Sequence, residues 1–294
     1  MTTSIFPSDE QTKKFLKLQK REKDFKEISA DENAEYDETI ELDLSKIVPL
    51  IACPHSPDNV KPVSEIRDVF LDQIVIGSCT NSSLTDLLLV AKILKGKKVK
   101  VPTIISPGSK QVLANLIKSG AMLDLVSSGV RMLEPACGPC IGMGCAPNSS
   151  GVSLRTFNRN FKGRSGTDDA EIYISGPVVA AFSALTGKIT EPSGKVPKIE
   201  LPQKIEITDN LIIAPRKTIT NVIIYRGKNI KPIEKFSELE NTITGEVVLK
   251  LKDNITTDDI IPAGAKILPL RSNIPAISEY VFSKTDSGFV ARVK

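Results

Sequence analysis

Histidine is almost missing from this chain: His55 is the only one in 294 residues. It stands before Ser56 and Pro57, a setting that reads as a surface turn, so imidazole acid–base chemistry has almost nothing to work with. Cysteine is sparse as well, with Cys53, Cys79, Cys137, Cys140 and Cys145 making an odd total of five. That number suits a reducing compartment, the cytosol or an organelle matrix, better than a disulfide scaffold. No apolar run approaches the roughly eighteen residues of a membrane span, and the opening MTTSIFPSDEQTKK lacks the charged-then-apolar layout of a signal peptide, so no membrane partner is expected. The one basic run, KGKKVK at 95–100, has no interleaved aromatics. It reads as a helix end and a solvated turn, which argues against a nucleic-acid partner even at a net charge of +4.

What is present is enough for a sizeable core: 40% of the residues are hydrophobic and 25% charged, and the length suggests about two domains. SDEQ at 8–11 has the form of a capping box, with Ser8 as cap and Gln11 reaching back, followed by a charged amphipathic helix to about 27. Residues 28–66 are acidic and then proline-rich, with a strand-like TIELDL between, and read as a linker-like passage. From 70 onward strands and helices alternate: DQIVIG, SLTDLLLVAKILKG, KVPTIIS, SKQVLANLIKSG, VRMLE, AEIYIS and PVVAAFSALTG. Such alternation predicts an α/β fold with a mostly parallel sheet covered on both faces. Beyond about 188 come prolines and polar turns with a strand-like NVIIYRG, and from about 245 GEVVLKLKDNITTDDIIPAGAKIL predicts the start of a β-rich module.

The chemistry concentrates in thiols. Cys79 follows one predicted strand, in VIGSCTNSS, and Cys137 and Cys140 follow another, in RMLEPACGPC. Ligands of an open parallel sheet sit outside the carboxyl ends of its strands, so both segments should meet at one rim. A single Cys-x-x-Cys is shared by zinc sites, redox pairs and iron–sulfur sites. Structural zinc wants four ligands, and no second Cys-x-x-Cys or histidine pair is on offer. A thioredoxin-like pair would usually open a helix. Three thiolates at strand ends suit an iron–sulfur cluster with one iron free of protein ligands.

GSCTNSS, ACGPCIGMG, SLRTFNRNFKGRSGT and DNITTDDIIPAGAKILPLRSNIP together resemble the aconitase family, in particular aconitate hydratases of bacterial type; TTSIFPSDE and PHSPDNVKPV extend the likeness toward the start. The resemblance implies a three-layer α/β/α domain and a 4Fe-4S cluster held by Cys79, Cys137 and Cys140, whose free iron acts as a Lewis acid while water is removed and re-added. It implies substrate contacts from Asn158, Arg159 and Arg164, since guanidinium groups bind carboxylates bidentately and keep their charge. The implied substrates are the tricarboxylic acids citrate, cis-aconitate and isocitrate, and the implied setting the tricarboxylic acid cycle in the cytoplasm or a mitochondrial matrix. Cys145 falls where the family needs no ligand. Asp258 and Asp259 lie in a motif where many members have Asp-His, and neither is assigned a catalytic role.

On this resemblance, residues 1–45 form the tail of a preceding α/β domain, 46–195 the domain with the cluster loops, 196–244 a linker, and 245–294 the truncated start of a swivelling domain. The family's histidine-bearing first portion and the later loop with its base serine find no counterpart here. The isolated chain is therefore expected to be inactive, with the missing segments supplied by another chain or by a longer polypeptide. An isopropylmalate or homoaconitate dehydratase is the alternative, although such enzymes commonly carry the swivel on a separate subunit. A non-catalytic cluster-binding or regulatory protein is a third reading.

Overall fold

The computed structural model describes residues 4–194, 196–200, 202–217, 223–233, 235–262 and 266–294. Helix α1 spans Glu10–Leu18 and starts one residue later than SDEQ suggested. Asp9 is the cap, accepting from the Thr12 amide at 2.8 Å, because a carboxylate is a stronger acceptor than a hydroxyl. Ser8 instead donates to the Lys26 carbonyl at 2.7 Å and accepts from the Ile28 amide at 2.6 Å, tying down the chain that returns past the helix.

Seven strands form one sheet: β1 Leu50–Ala52, β2 Val60–Pro62, β3 Gln73–Gly77, β4 Thr103–Ser106, β5 Arg131–Met132, β6 Val152–Arg155 and β7 Glu171–Ser175. Their order is β2-β1-β7-β6-β3-β4-β5. The strands from β7 to β5 run parallel, and β1 and β2 add an antiparallel edge. The fold is thus the α/β class with a mostly parallel sheet. Between strands run α2 Leu84–Leu94, α3 Lys110–Lys118 and α4 Ala121–Ser127, and α5 Pro177–Thr186 follows β7. Ser83 caps α2 and Ser109 caps α3.

Register decides which face each side chain meets. Ile74 pairs with Leu154 and Ile76 with Ile105, while Val75 pairs with Ile104 on one side and Arg155 on the other. Side chains alternate across a strand, so Ile74, Ile76, Ile105 and Leu154 point to the face where Leu87, Leu94, Leu116, Leu125 and Ala180 of the four helices pack. Each such leucine or isoleucine side chain, fully buried, contributes about 1.5–3 kcal/mol. The opposite face carries Val75, Ile104 and Phe157, and there Cys140 and Cys145 pack against it. Cover on that second face thus comes from the cysteine loop, where the helical alternation alone suggested helices.

Three strand readings are corrected. TIELDL carries no strand; Asp43 caps a short 3₁₀ turn at Leu44–Lys46 instead. Asn221 and Val222 of NVIIYRG lie outside the described residues, and 223–227 forms no ladder. Residues 245–294 were expected to be β-rich, yet their described part carries α6 Thr257–Ile260, α7 Ile274–Ser278 and α8 Phe289–Val293 and no strand. The local signals there are helix starts: a Thr256/Asp259 capping box, an Asn273 cap with Pro275 in the first turn, and Gly288 before α8. Ala263, Gly264 and Ala265 of the DNITTDDIIPAGA motif, and Thr2 and Thr3 at the start, lie outside the described residues.

Candidate functional site

All five parallel strands point their carboxyl ends to one rim, and the loops leaving β3, β5 and β6 carry Cys79, Cys137, Cys140, Asn158, Arg159 and Arg164. The loop after β3 turns at once. Gly77 has φ +127°, and a Cβ on it would lie 2.0 Å from the Ser106 carbonyl oxygen, so only glycine lets β3 and β4 run side by side to their ends. Its amide donates to Thr156 Oγ1 at 2.8 Å, and Asn81 Nδ2 donates to the Thr156 carbonyl at 2.7 Å. The end of β3 and the start of the arginine loop are thereby fixed to each other around Cys79.

The cysteine loop after β5 makes a 3₁₀ turn over Gly138–Ile141 and leaves it at Gly142, with φ +86°. A Cβ at Gly142 would lie 2.2 Å from the Ser165 carbonyl oxygen. Ser165 Oγ donates to the Cys140 carbonyl at 3.1 Å. The arginine loop therefore lies directly against the turn that presents Cys140.

Two of the predicted arginines flank two of the predicted cysteines. Arg164 is buried and its Nη2 donates to Cys140 Sγ at 3.2 Å, while its Nε and Nη1 have no hydrogen-bond partner among the described residues. A buried guanidinium with idle donors is costly unless an anion reaches it. Arg159 is exposed and acts electrostatically on Cys79, whose thiol is held below its ordinary range chiefly by hydrogen bonding with Thr80, then with Ser78, and further by Arg159. Asn158 is exposed on the same loop. Cys79 and Cys137 are solvent-exposed and Cys140 is buried. Cys145 is buried in the small core behind the loop, where burial pushes its thiol up; it is a packing residue, as its place in the sequence suggested.

The donor set fits an iron–sulfur cluster in chemical type: three thiols on rim loops, one of them facing a guanidinium with unused N–H groups. The three sulfurs do not converge, and among the described residues no three Cys, His, Asp or Glu side chains are grouped as a metal-ligand set. His55 is only partly buried, and it joins no such set.

The segment around α6 approaches this rim. Asp258 Oδ2 lies 3.9 Å from Arg159 Nε, and Lys284 Nζ stands 5.0 Å from the centre of the Phe161 ring. Asp259, the uncertain second acid of the motif, accepts from the Thr256 amide at 2.8 Å and so closes the capping box of α6. That contact, with the Thr256 hydroxyl next, holds its carboxyl below the ordinary range.

Sequence reasoning missed Arg155. It ends β6, is fully buried, and reaches the cysteine loop from behind. The available signal was register: an arginine two residues after Ser153 and next to Leu154 on the same strand has to face the side opposite Leu154. An apolar groove of about 470 Å³ between α1 and the starts of α2 and α3, lined by Phe15, Leu18, Leu84 and Val112, lies away from the cysteines and brings no reactive groups together.

Comparison with known proteins identifies the family. The sequence model of the aconitase family (aconitate hydratase) matches residues 1–70 and 61–187. The chain belongs to the aconitase family. Its relatives include the 3-isopropylmalate dehydratase large subunit of Clostridium beijerinckii, 45% identical over 192 residues, which are 64% of this chain and 45% of that protein. The large subunit 2 of Archaeoglobus fulgidus is 45% identical over 191 residues, covering 64% and 46%. The large subunit 1 of Thermotoga maritima is 44% identical over 194 residues, with the same shares. The chain thus spans about half the length of the curated relatives it matches. Both cysteine loops and the arginine loop fall inside the matched range; the DNITTDD stretch falls outside it.

Proposed function

We propose that this chain supplies the iron–sulfur half of an aconitase-family hydro-lyase, with Cys79, Cys137 and Cys140 holding a 4Fe-4S cluster. The observation that carries the reading is Arg164, buried against Cys140 with two donors idle, on the loop beside the exposed Cys79 and Cys137. When bound, the cluster supplies a Lewis-acid iron that takes up the charge of a departing hydroxide. The protein's own residues do the rest of the binding. Arg164 presents Nε and Nη1 to a substrate carboxylate, Arg159 offers a second, exposed guanidinium, and Asn158 adds an amide. Asp258 shares Arg159 with any incoming carboxylate, so substrate would compete for that ion pair.

The substrate favoured is of the isopropylmalate class, because the relatives above are isopropylmalate dehydratase large subunits. This places second the citrate and isocitrate reading, and with it the tricarboxylic acid cycle. One observation still speaks for that second reading: the swivel-like segment is in the same chain, with its Asp258 at Arg159. On either reading residues 1–45 are the tail of a preceding domain, 46–195 the cluster domain, 196–244 a linker and 245–294 the start of a swivelling domain, with the remaining catalytic groups supplied by further segments or another chain.

The test is hydration by the reconstituted protein, alone and together with the segments that its relatives have in addition. Isopropylmaleate and cis-aconitate are offered side by side. Turnover of isopropylmaleate only by the completed assembly is expected; a clear preference for cis-aconitate overturns the substrate ranking. Turnover by the isolated chain overturns its dependence on other segments.

A further inference from the structure

Arg155 has an arrangement that neither the fold nor the substrate contacts explain. Its Nε donates to Ser153 Oγ at 3.1 Å, and its Nη2 to Gln73 Oε1 at 3.0 Å and to the Cys145 carbonyl at 2.5 Å. Its Nη1 donates to the Pro139 carbonyl at 2.8 Å. The side chain is fully buried, and the Phe157 ring centre lies 5.6 Å from the guanidinium carbon. Every acceptor is neutral, and among the described residues no carboxylate forms an ion pair with it. Burial lowers its pKa to about 10, which leaves it cationic at neutral pH.

A buried cation without a counter-ion costs several kcal/mol. A strand that needed only to fill this place would carry an aliphatic residue, as Val75 and Ile104 do on the same face. The carbonyls that Nη1 and Nη2 hold belong to Pro139 and Cys145, on either side of Cys140. Cys140 belongs to the proposed ligand set.

We propose, resting on the cluster reading above, that Arg155 is a positioning residue. Its forked guanidinium pins both sides of the turn that presents Cys140, and its fixed positive charge is the counter-ion of the thiolate-bound cluster. A planar fork reaches two carbonyls at once; an ammonium keeps the charge but not the fork. Clamp and charge are therefore separable by substitution.

The experiment compares the wild-type chain with Arg155→Lys and Arg155→Met. In the apo protein, alkylation of Cys140 by iodoacetamide is followed by peptide mass spectrometry, with the exposed Cys137 as internal reference. Both variants should free Cys140 by about tenfold or more, the worth of losing charge-assisted bonds to the turn. After anaerobic reconstitution with iron and sulfide, Arg155→Met should lose its cluster to a chelator faster and show a more negative midpoint potential. Arg155→Lys should keep a potential near wild type. Wild-type alkylation in both variants overturns the clamp, and an unchanged potential in Arg155→Met overturns the counter-ion. Should Arg155→Met lack a native circular-dichroism spectrum, the lysine variant decides: a freed Cys140 with unchanged potential supports the proposal, and any other combination overturns it. Should the wild-type chain take up no cluster, the cluster reading falls and takes the counter-ion with it, while the alkylation data judge the clamp independently.

Discussion

Replacing Gly142 by alanine should open the cysteine loop without touching any thiol. Gly142 has φ +86°, and a Cβ there would sit 2.2 Å from the Ser165 carbonyl oxygen and 2.8 Å from its carbon. Left-handed backbone costs a non-glycine residue about 1–2 kcal/mol, and overpacking of this kind about 1–3 kcal/mol. Because the obstacle is backbone, no side-chain rotation relieves it; either the turn or the arginine loop has to move. The contacts given up are the Ser165 bond to the Cys140 carbonyl and the Arg164 bond to its sulfur. Cys140 is only 5% exposed, so its alkylation needs the loop to open. A loss of about 2–5 kcal/mol raises the open population by about 30-fold or more, at about 1.4 kcal/mol per factor of ten. The assay is the ratio of Cys140 to Cys137 modification by iodoacetamide, with circular dichroism confirming that the sheet survives. Cys140 protection within about threefold of wild type would show that the close approach of the two loops carries no constraint, and would refute the reasoning.

Two further outcomes follow from the same geometry. Asp169 accepts from Ser149 at 2.6 Å and Ser150 at 2.8 Å, and these bonds, Ser149's first, with one from Thr167, hold its carboxyl well below the ordinary 3.8. A depressed carboxylate stabilises the fold above its unfolded pKa and loses that contribution as pH falls, so Asp169→Asn should flatten the decline of the urea midpoint below about pH 4; an unchanged acid limb would contradict this. Gly77→Ala, whose Cβ would meet the Ser106 carbonyl, should lower the urea midpoint by the equivalent of about 2–5 kcal/mol, and a midpoint within about 0.5 kcal/mol of wild type would mean β3 and β4 adjust freely there.

The sheet was legible because its elements carry local signals that agree with their packing. Ser83 and Ser109 cap helices, Gly187 stops one, and Ile74 to Ile76 are apolar on both faces, as a central parallel strand requires. The rim was legible in part, since the carboxyl ends of two predicted strands, β3 and β5, put both cysteine segments on one edge of a parallel sheet. What the sequence hid were matters of pairing. The β1–β2 edge strands are three residues each, sit in proline-rich surroundings and exist only through their partners. β6 was overshadowed by the polar loop that follows it, and with β6 went Arg155, whose burial depends on register. The β-rich expectation for 245–294 failed because apolar alternation such as VVLKL needs a partner strand, and in the described residues none pairs with it.

The central claim is that Cys79, Cys137 and Cys140 together hold an iron–sulfur cluster. Anaerobic reconstitution with iron and sulfide, with metal and sulfide content measured alongside the visible spectrum, tests it most directly. The account predicts broad visible absorption in the wild-type chain and in Cys145→Ser, lost in each of Cys79→Ser, Cys137→Ser and Cys140→Ser. A wild-type chain that binds zinc and takes up neither iron nor sulfide would contradict it.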